Sequence, residues 1–469
     1  MRGVAERQPP TTGRRHIHLH PATGRPVVEV GLASVDDVDE AVRRAREALP
    51  GWRATSPAKR ARLLTRLADL LEADREDAAA LTAVDNGTPI SALDPGRSAG
   101  TWVRWYAGWA DKVEGRVVPG VGALDYVLPE PYGVVAALVP WNGPMMGMGQ
   151  KAAPALAAGN VVVAKPPEIA PFGALRFAEL AAEAGLPDGV VQVLVGDAEA
   201  GAALVRQPGV DKISFTGGGT AAREVLRGAA EALTPVALEL GGKSANLVFA
   251  DADLDVAAST AGLLGAVLIA GQGCALPTRL YVQRPVVDEL VSRLVAVVEA
   301  AEVGDPLAAD TLMGPLATEA ARNRVLAAVR GADGTVLTGG GVPTMPDELA
   351  GGWWLAPTVL ADLADDAPVA CEELFGPVLS VFTFDDEDEV VARANALPYG
   401  LAAYVHTRDV GRAHRVAAAL EAGTVTINGF PSNSPAIPFG GVKASGFGRE
   451  GGIEGLQEFL RPKNVLLAD

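Results

Sequence analysis

Two cysteines in 469 residues cannot build a disulfide framework, so the chain reads as one suited to a reducing, cytoplasmic compartment. Histidine is also scarce, with five in all and three of them crowded at His16, His18 and His20. Positive charge is in deficit. Lys and Arg number 40 against 57 acidic residues, giving a net charge of −17. That balance excludes a general nucleic-acid or anionic-membrane surface, though not an anionic ligand held by local positive groups. Apolar runs such as VVAALVP and AGLLGAVLIAG stop short of the ~18 residues of a membrane span, so none is expected. The N-terminal MRGVAERQPPTTGRR is basic and lacks the apolar segment of a signal peptide. What is present is ordinary for a globular protein: 49% hydrophobic and 21% charged residues, in a chain long enough for two or three packed units.

Helix signals dominate the first hundred residues. Ser34 and Asp37 form a capping pair, followed by Val38, Ala41, Val42 and Ala45 at helical spacing. Ser56 and Pro57 open a second helix. From residue 133 short β-branched runs (VVAALVP, VVVAKP, VVQVLVG, KISFTG, VALEL) alternate with Ala-rich helical segments. That alternation predicts βαβ units and a parallel sheet covered on both faces. A second series follows with SANLVFA, an Ala/Leu segment ending at Gly271, TRLYVQ, the helical VDELVSRLVAVVEAAEVG, and the strands GLAAYVHT and GTVTING. The layout is two α/β lobes. The tail GLQEFLRPKNVLLAD ends in a strand-like run open to pairing with a partner subunit.

The glycine-rich stretches narrow the chemistry. LGGKSAN suggests a P-loop, but the required glycine five positions before Gly242 is Ala237, so the fingerprint fails. In FTGGGTAAREV, Gly217 to Gly219 follow a strand and open a helix, where bare backbone N–H groups suit a pyrophosphate. No G-x-G-x-x-G accompanies them, and a plain strand-to-helix turn accounts for them equally well. Lys165 and Glu168 fall just past a buried strand, where a doubly wound sheet places the groups that hold a ribose.

Cys274, in GQGCALPTR, is a candidate nucleophile that needs a base. No histidine lies in a Cys–His motif. His16, His18 and His20 alternate on one face of an early strand. Three imidazoles in register suit a metal, but a solvated edge strand explains them as well, and no metal ligand is assigned. Glu239, a lone carboxylate at an apolar strand end, is the better base, since burial raises its proton affinity toward a useful range. Cys371 has equal claim by composition, but two carboxylates follow it directly and disfavour a thiolate there.

Nine stretches taken together carry a resemblance over essentially the whole length: YAGWADKVEG, VPWNGP, KAAPALAAGNVVVAKPPEIAP, FTGG, LELGGKSANLVF, GQGC with TR, EELFGPV, NALPYGLAAYV and PFGGVKASGFGRE. In order and spacing the chain resembles the NAD(P)-dependent aldehyde dehydrogenase superfamily. The resemblance implies an α/β fold with a Rossmann-like cofactor domain (1–111 and 132–241), a catalytic domain (242–443) and a small β oligomerisation arm (112–131 and 444–469), assembled as a homodimer or homotetramer. It implies Cys274 as nucleophile, giving a thiohemiacetal and then a thioester, and Asn142 with the Cys274 N–H as oxyanion hole. Glu239 becomes the base that activates water. NAD, with NADP possible, is held by Lys165 and Glu168 at the adenine-side ribose, by Trp141, Gly217 and Gly218 near the pyrophosphate, and by Glu373 and Phe375 at the nicotinamide, with Val139 and Leu240 in the same site. Release of the acyl group to CoA and a non-catalytic member of the fold are the alternatives.

Two positions depart from the family pattern. Gly218 replaces a common serine after FTG, and Gly143 replaces a bulky aromatic after PWN. If Gly143, Gly147 and Gly149 line a substrate tunnel walled by Met145 and Met146, they widen it for a medium or bulky apolar aldehyde.

Overall fold

A computed structural model of the chain describes residues 11–120 and 123–468. The N-terminal stretch read for targeting therefore lies, up to residue 10, outside the described residues.

The first helices form as their caps dictate. Helix α1 (Val35–Ala54) is closed by a complete capping box: the Asp37 N–H donates to Ser34 Oγ at 3.2 Å, and the Ser34 N–H to Asp37 Oδ2 at 2.8 Å. It buries Val38, Ala41, Val42, Ala45, Leu49 and Trp52. Helix α2 (Pro57–Ala73) starts with Pro57 in its first turn and Ser56 as cap. Helix α3 (Pro95–Ala107) packs against α2 and against α4 (Pro144–Ala158). Helix α5 (Phe172–Glu183) and helix α6 (Gly219–Ala232) also belong to the cofactor lobe, and α7 (Leu254–Ser259) belongs to the second lobe.

Four sheets follow. A two-stranded ribbon joins β1 (Arg15–Leu19) to β2 (Pro26–Gly31), and a three-stranded antiparallel sheet includes β3 (Arg116–Val117) and β4 (Leu124–Pro131). The cofactor sheet contains β5 (Val134–Leu138), β6 (Val161–Lys165), β7 (Val191–Val193), β8 (Lys212–Gly217) and β9 (Val236–Leu240). The second sheet contains β10 (Ala245–Val248), β11 (Arg279–Gln283), β12 (Thr335–Thr338), β13 (Thr358–Ala361), β14 (Val378–Phe384), β15 (Ala402–His406) and β16 (Thr424–Ile427). β17 (Gly446–Phe447) and β18 (Leu460–Leu467) close the chain.

The cofactor sheet runs β17-β9-β8-β5-β6-β7, parallel apart from β17. Every residue of β5 and β6 is buried, which is why these strands read as unbroken apolar runs rather than alternating ones. The second sheet runs β12-β13-β14-β11-β10-β15-β16, with β12 alone antiparallel. β18 pairs with β4 along its whole length, so the tail strand finds its first partner within its own chain. β17, within the 444–469 segment, is the edge of the cofactor sheet.

The Ala/Leu segment does not form one regular helix. After α7, residues Thr260–Val267 widen into a π-helix and Leu268–Gly271 tighten into a short turn, with Ile269 and Ala270 at φ 47° and 52°. At 18 residues and mean hydropathy 1.7, Leu254–Gly271 is long and apolar enough for a membrane span, contrary to the expectation from the shorter runs. It is also 61% buried inside the protein, packed against the second sheet, as a core segment is. The loop that follows its end carries the nucleophile candidate.

Candidate active site

Cys274 lies half-buried in the loop between Leu268–Gly271 and β11. Two glycines let that loop sit where it does. Gly271 has φ +68°, and a Cβ there would stand 2.1 Å from the Gly376 carbonyl oxygen, so only glycine allows the Cys274 loop to cross the 373–376 loop. At Gly242 a Cβ would meet the Cys274 carbonyl oxygen at 2.8 Å, which seats the nucleophile against the loop leaving β9. The Tyr404 hydroxyl donates to the Ala275 carbonyl at 3.0 Å and fixes the other side.

Glu239 is the penultimate residue of β9 and is buried, and neither carboxylate oxygen has a hydrogen-bond partner among the described residues. Burial first, and the Glu450 carboxylate second, hold its proton affinity well above the usual carboxylate range, while Lys151 and Arg449 pull it back. Lys151 and Glu450 form a buried ion pair at 2.6 Å, and Lys151 also donates to Ser214 Oγ at 3.1 Å. This pair escaped the residue-by-residue reading although GQKAAPALAAG and GFGRE contain both members. The signal was there as a lysine in an otherwise apolar helix. Cys274 is pushed up to about 12 by burial and by the carboxylates Glu239, Glu373 and Glu450, so without further help it rests as a thiol.

Asn142 donates through Nδ2 to the Gln272 carbonyl at 2.9 Å, which brings the PWN turn to within two residues of Cys274 in the chain. Gln272, also missed in sequence, is buried, and its Oε1 accepts the Ala317 N–H at 2.9 Å, so it braces the turn from both sides. Glu373 folds over the β9 end: its Oε1 accepts the Gly242 N–H at 3.1 Å, and a Cβ on Gly241 would collide with it. Phe375, at φ 51°, meets the Trp141 ring edge-on at 5.3 Å. Cys274, Glu239, Asn142, Glu373, Phe375 and Trp141 are thus gathered from four segments of sequence into one region.

The remaining cofactor candidates line the carboxyl ends of β5, β6, β8 and β9, the edge at which an open parallel sheet binds ligands. The Val139 N–H donates to the Lys165 carbonyl at 3.1 Å, and Leu240 is buried at the end of β9. Lys165 Nζ donates to the Gly196 carbonyl at 2.7 Å, and Glu168 lies half-buried beside it. Gly217 ends β8, and Gly218 precedes the first turn of α6 with open space where a side chain would be. A cavity of about 380 Å³ between Leu138, Lys165, Gly201, Phe215 and Val225 is of a size for a heterocyclic ring system. These features fit a dinucleotide: free amides at a helix N-terminus, a carboxylate for ribose hydroxyls, and an apolar slot.

Several expectations are corrected. A Cβ on Gly147 would stand 2.9 Å from Val139 Cγ1 and close to Pro140, and one on Gly149 would meet Ala99 and Trp102 of α3. Both glycines permit close packing and open no tunnel; Gly143 alone has room. Met145 is buried against Gly173 of α5, leaving Met146 as the accessible methionine. The early histidines share a face, but it is the inner one: His18 is buried with Nε2 3.0 Å from the Val84 carbonyl, while Ile17 and Leu19 point outward. The solvated-edge explanation therefore fails for His18. No metal-holding group of three His, Cys, Asp or Glu occurs among the described residues. Cys371 is half-buried, its thiol pushed up by burial and by Asp366 and Asp365, and its Sγ donates to the Asp365 carbonyl.

A family model described as the aldehyde dehydrogenase family matches residues 9–465. A betaine aldehyde dehydrogenase of Rhizobium leguminosarum bv. trifolii is 42% identical over 455 residues, covering 95% of this chain and 92% of that protein. A putative aldehyde dehydrogenase from Burkholderia cenocepacia superposes with a TM-score of 0.94 at 41% identity, over 96% of this chain and 94% of that one. A betaine aldehyde dehydrogenase from Staphylococcus aureus, solved with NAD+, gives 0.93 at 34% identity over 96% and 91%.

Proposed function

The chain belongs to the aldehyde dehydrogenase family, and from that membership we propose that it oxidises an aldehyde to a carboxylic acid through an acyl-cysteine intermediate on Cys274, hydrolysed by water that Glu239 activates. The carrying observation is Glu239 itself: a buried carboxylate with both oxygens unpaired, electrostatically coupled to the thiol. Glu239 takes the Cys274 proton as sulfur attacks the carbonyl carbon, forming the thiohemiacetal. Asn142 Nδ2 and the Cys274 N–H face the oxygen on which charge develops, and one such donor is worth ~3 kcal/mol. NAD, when bound, supplies the two-electron acceptor that converts the thiohemiacetal to a thioester. Glu239 releases the thiol proton to solvent, then accepts a proton from the water attacking the thioester and returns it to the departing Cys274 sulfur.

Lys165 and Glu168 would hold the adenine-side ribose, the Gly217–Gly218 turn and Trp141 the pyrophosphate region, and Glu373 with Phe375 the nicotinamide side, with Val139 and Leu240 lining the site. The Glu168 carboxylate disfavours the extra phosphate of NADP. Residues 1–111 and 132–241 form the cofactor domain, 242–443 the catalytic domain, and 112–131 with 444–469 the arm. The arm's outer strand β18, with Leu466 and Leu467 more than half exposed, serves assembly into a homodimer or homotetramer. Both cysteines are free, as a reducing cytoplasm would keep them. Room at Gly143 supports an aldehyde of medium or larger size with an apolar stem.

Cys274→Ser should abolish NAD-dependent turnover, whereas Glu239→Gln should slow both the burst of reduced cofactor and the steady state that follows, by ~10²–10⁴. Full turnover in Cys274→Ser, or product formed only when CoA is added, overturns the mechanism.

A further inference from the structure

The substrate end of the site is written on α4. Thirteen of its fifteen residues are buried, and the two that are not, Met146 and Gln150, lie one turn apart on the same face. Gly143, just before the helix, extends that stripe: a Cβ there would meet only Met146, at 3.6 Å. Asn142, bonded to the Gln272 carbonyl, stands at its foot, so the stripe leads away from the nucleophile loop. From the loop after β16, Asn433 is exposed and turns its amide Nδ2 to Met146 Sδ at 3.4 Å. A thioether is a weak acceptor, so that amide has no strong partner among the described residues. The Gln150 side chain has none among the described residues. The accessible wall thus passes from bare glycine through Met146 to two amides with hydrogen bonds to spare.

We propose that the aldehyde taken by this chain ends in an uncharged hydrogen-bonding group, a hydroxyl or an amide, held by Gln150 and Asn433 while Met146 packs against its stem. This rests on the aldehyde-oxidising reading of Cys274 and adds the substrate class. A quaternary ammonium group is recognised by the faces of aromatic rings, and Gly143, Met146, Gln150 and Asn433 supply none. The stripe therefore gives a trimethylammonium group no ring face to pack on, although a 42% identical relative carries the name betaine aldehyde dehydrogenase.

The test compares kcat/KM with NAD for three aldehydes of matched length, ending in a hydroxyl, a methyl or a trimethylammonium group. It uses the wild type and a Gln150→Leu, Asn433→Leu double variant. The wild type should favour the hydroxy aldehyde over the alkyl one by about fivefold to tenfold per hydrogen bond made, and over the trimethylammonium one by more. In the double variant the hydroxy-to-alkyl ratio should fall toward one. A wild-type preference for the trimethylammonium aldehyde overturns the inference, as does an unchanged ratio in the double variant, and both leave the enzymatic reading standing. Failure to oxidise any of the three removes that reading itself, and the inference with it.

Discussion

The Lys151–Glu450 pair gives a test whose two arms move in opposite directions. Both partners are buried, with side-chain exposures of 1% and 10%, so the small energies of surface ion pairs do not apply. Lys151→Met leaves the Glu450 carboxylate buried without its cation, a loss of about 3–5 kcal/mol. An unfolding entropy of about 2.1 cal/mol/K per residue gives about 1 kcal/mol/K for a chain of 469 residues. The expected fall in Tm is therefore about 3–5 °C. The kinetic effect follows from sign. Lys151 favours the ionised form of Glu239 and Glu450 opposes it. A general base works only when ionised, so Lys151→Met should move the acidic limb of acyl-enzyme hydrolysis to higher pH, and Glu450→Gln should move it to lower pH. A p-nitrophenyl ester acylates a thiol directly, so single-turnover hydrolysis of that acyl-enzyme reads the step without the cofactor. Shifts in the same direction, or no shift in either variant, would refute the assignment of Glu239 as a base tuned by this pair.

Two stability predictions follow from other parts of the molecule. Burial holds the His18 imidazole at about 4, below its ordinary 6.5, so the folded state binds fewer protons than the unfolded chain between those values. Stability is full above pH 6.5 and falls by up to about 3 kcal/mol as pH drops through 4, an effect His406 should duplicate from its own burial. Denaturant midpoints against pH should show a shallower acid loss in His18→Leu, and an unchanged slope would count against a neutral buried His18. Leu233 ends α6 at φ 55° with 86% of its surface exposed, so it carries left-handed strain with little packing in return. Leu233→Gly should stabilise by about 1 kcal/mol in a urea titration, and destabilisation would show that the exposed side chain matters.

Much of this was legible beforehand because local rules suffice for it. The Ser34–Asp37 box and the Ser56–Pro57 start need only neighbouring residues, and both form as read. The unbroken apolar runs of β5 and β6 announce strands covered on both faces, and those strands are buried throughout. Cys274, Glu239 and Asn142 could be singled out because each is a chemically unusual residue in its local setting.

What sequence could not decide was which way a periodic pattern faces. The alternation of His16, His18 and His20 defines two faces of β1, and the fold turned the histidines inward. Gly143, Gly147 and Gly149 look alike in a row, yet α3 and the β5 end fill the space at two of them and leave the third open. Periodicity fixes faces relative to one another, and only neighbouring elements fix them relative to solvent. Charge shows the same limit more sharply. A glutamate at the end of β9 is visible in the sequence, but its proton affinity depends on Lys151 and on its ion-pair partner Glu450, which lie 299 residues apart in the chain. Sequence determined which groups this chain has for its chemistry; tertiary structure decided their proton affinities and the wall they present to substrate, because burial and Coulomb interactions depend on distance in space.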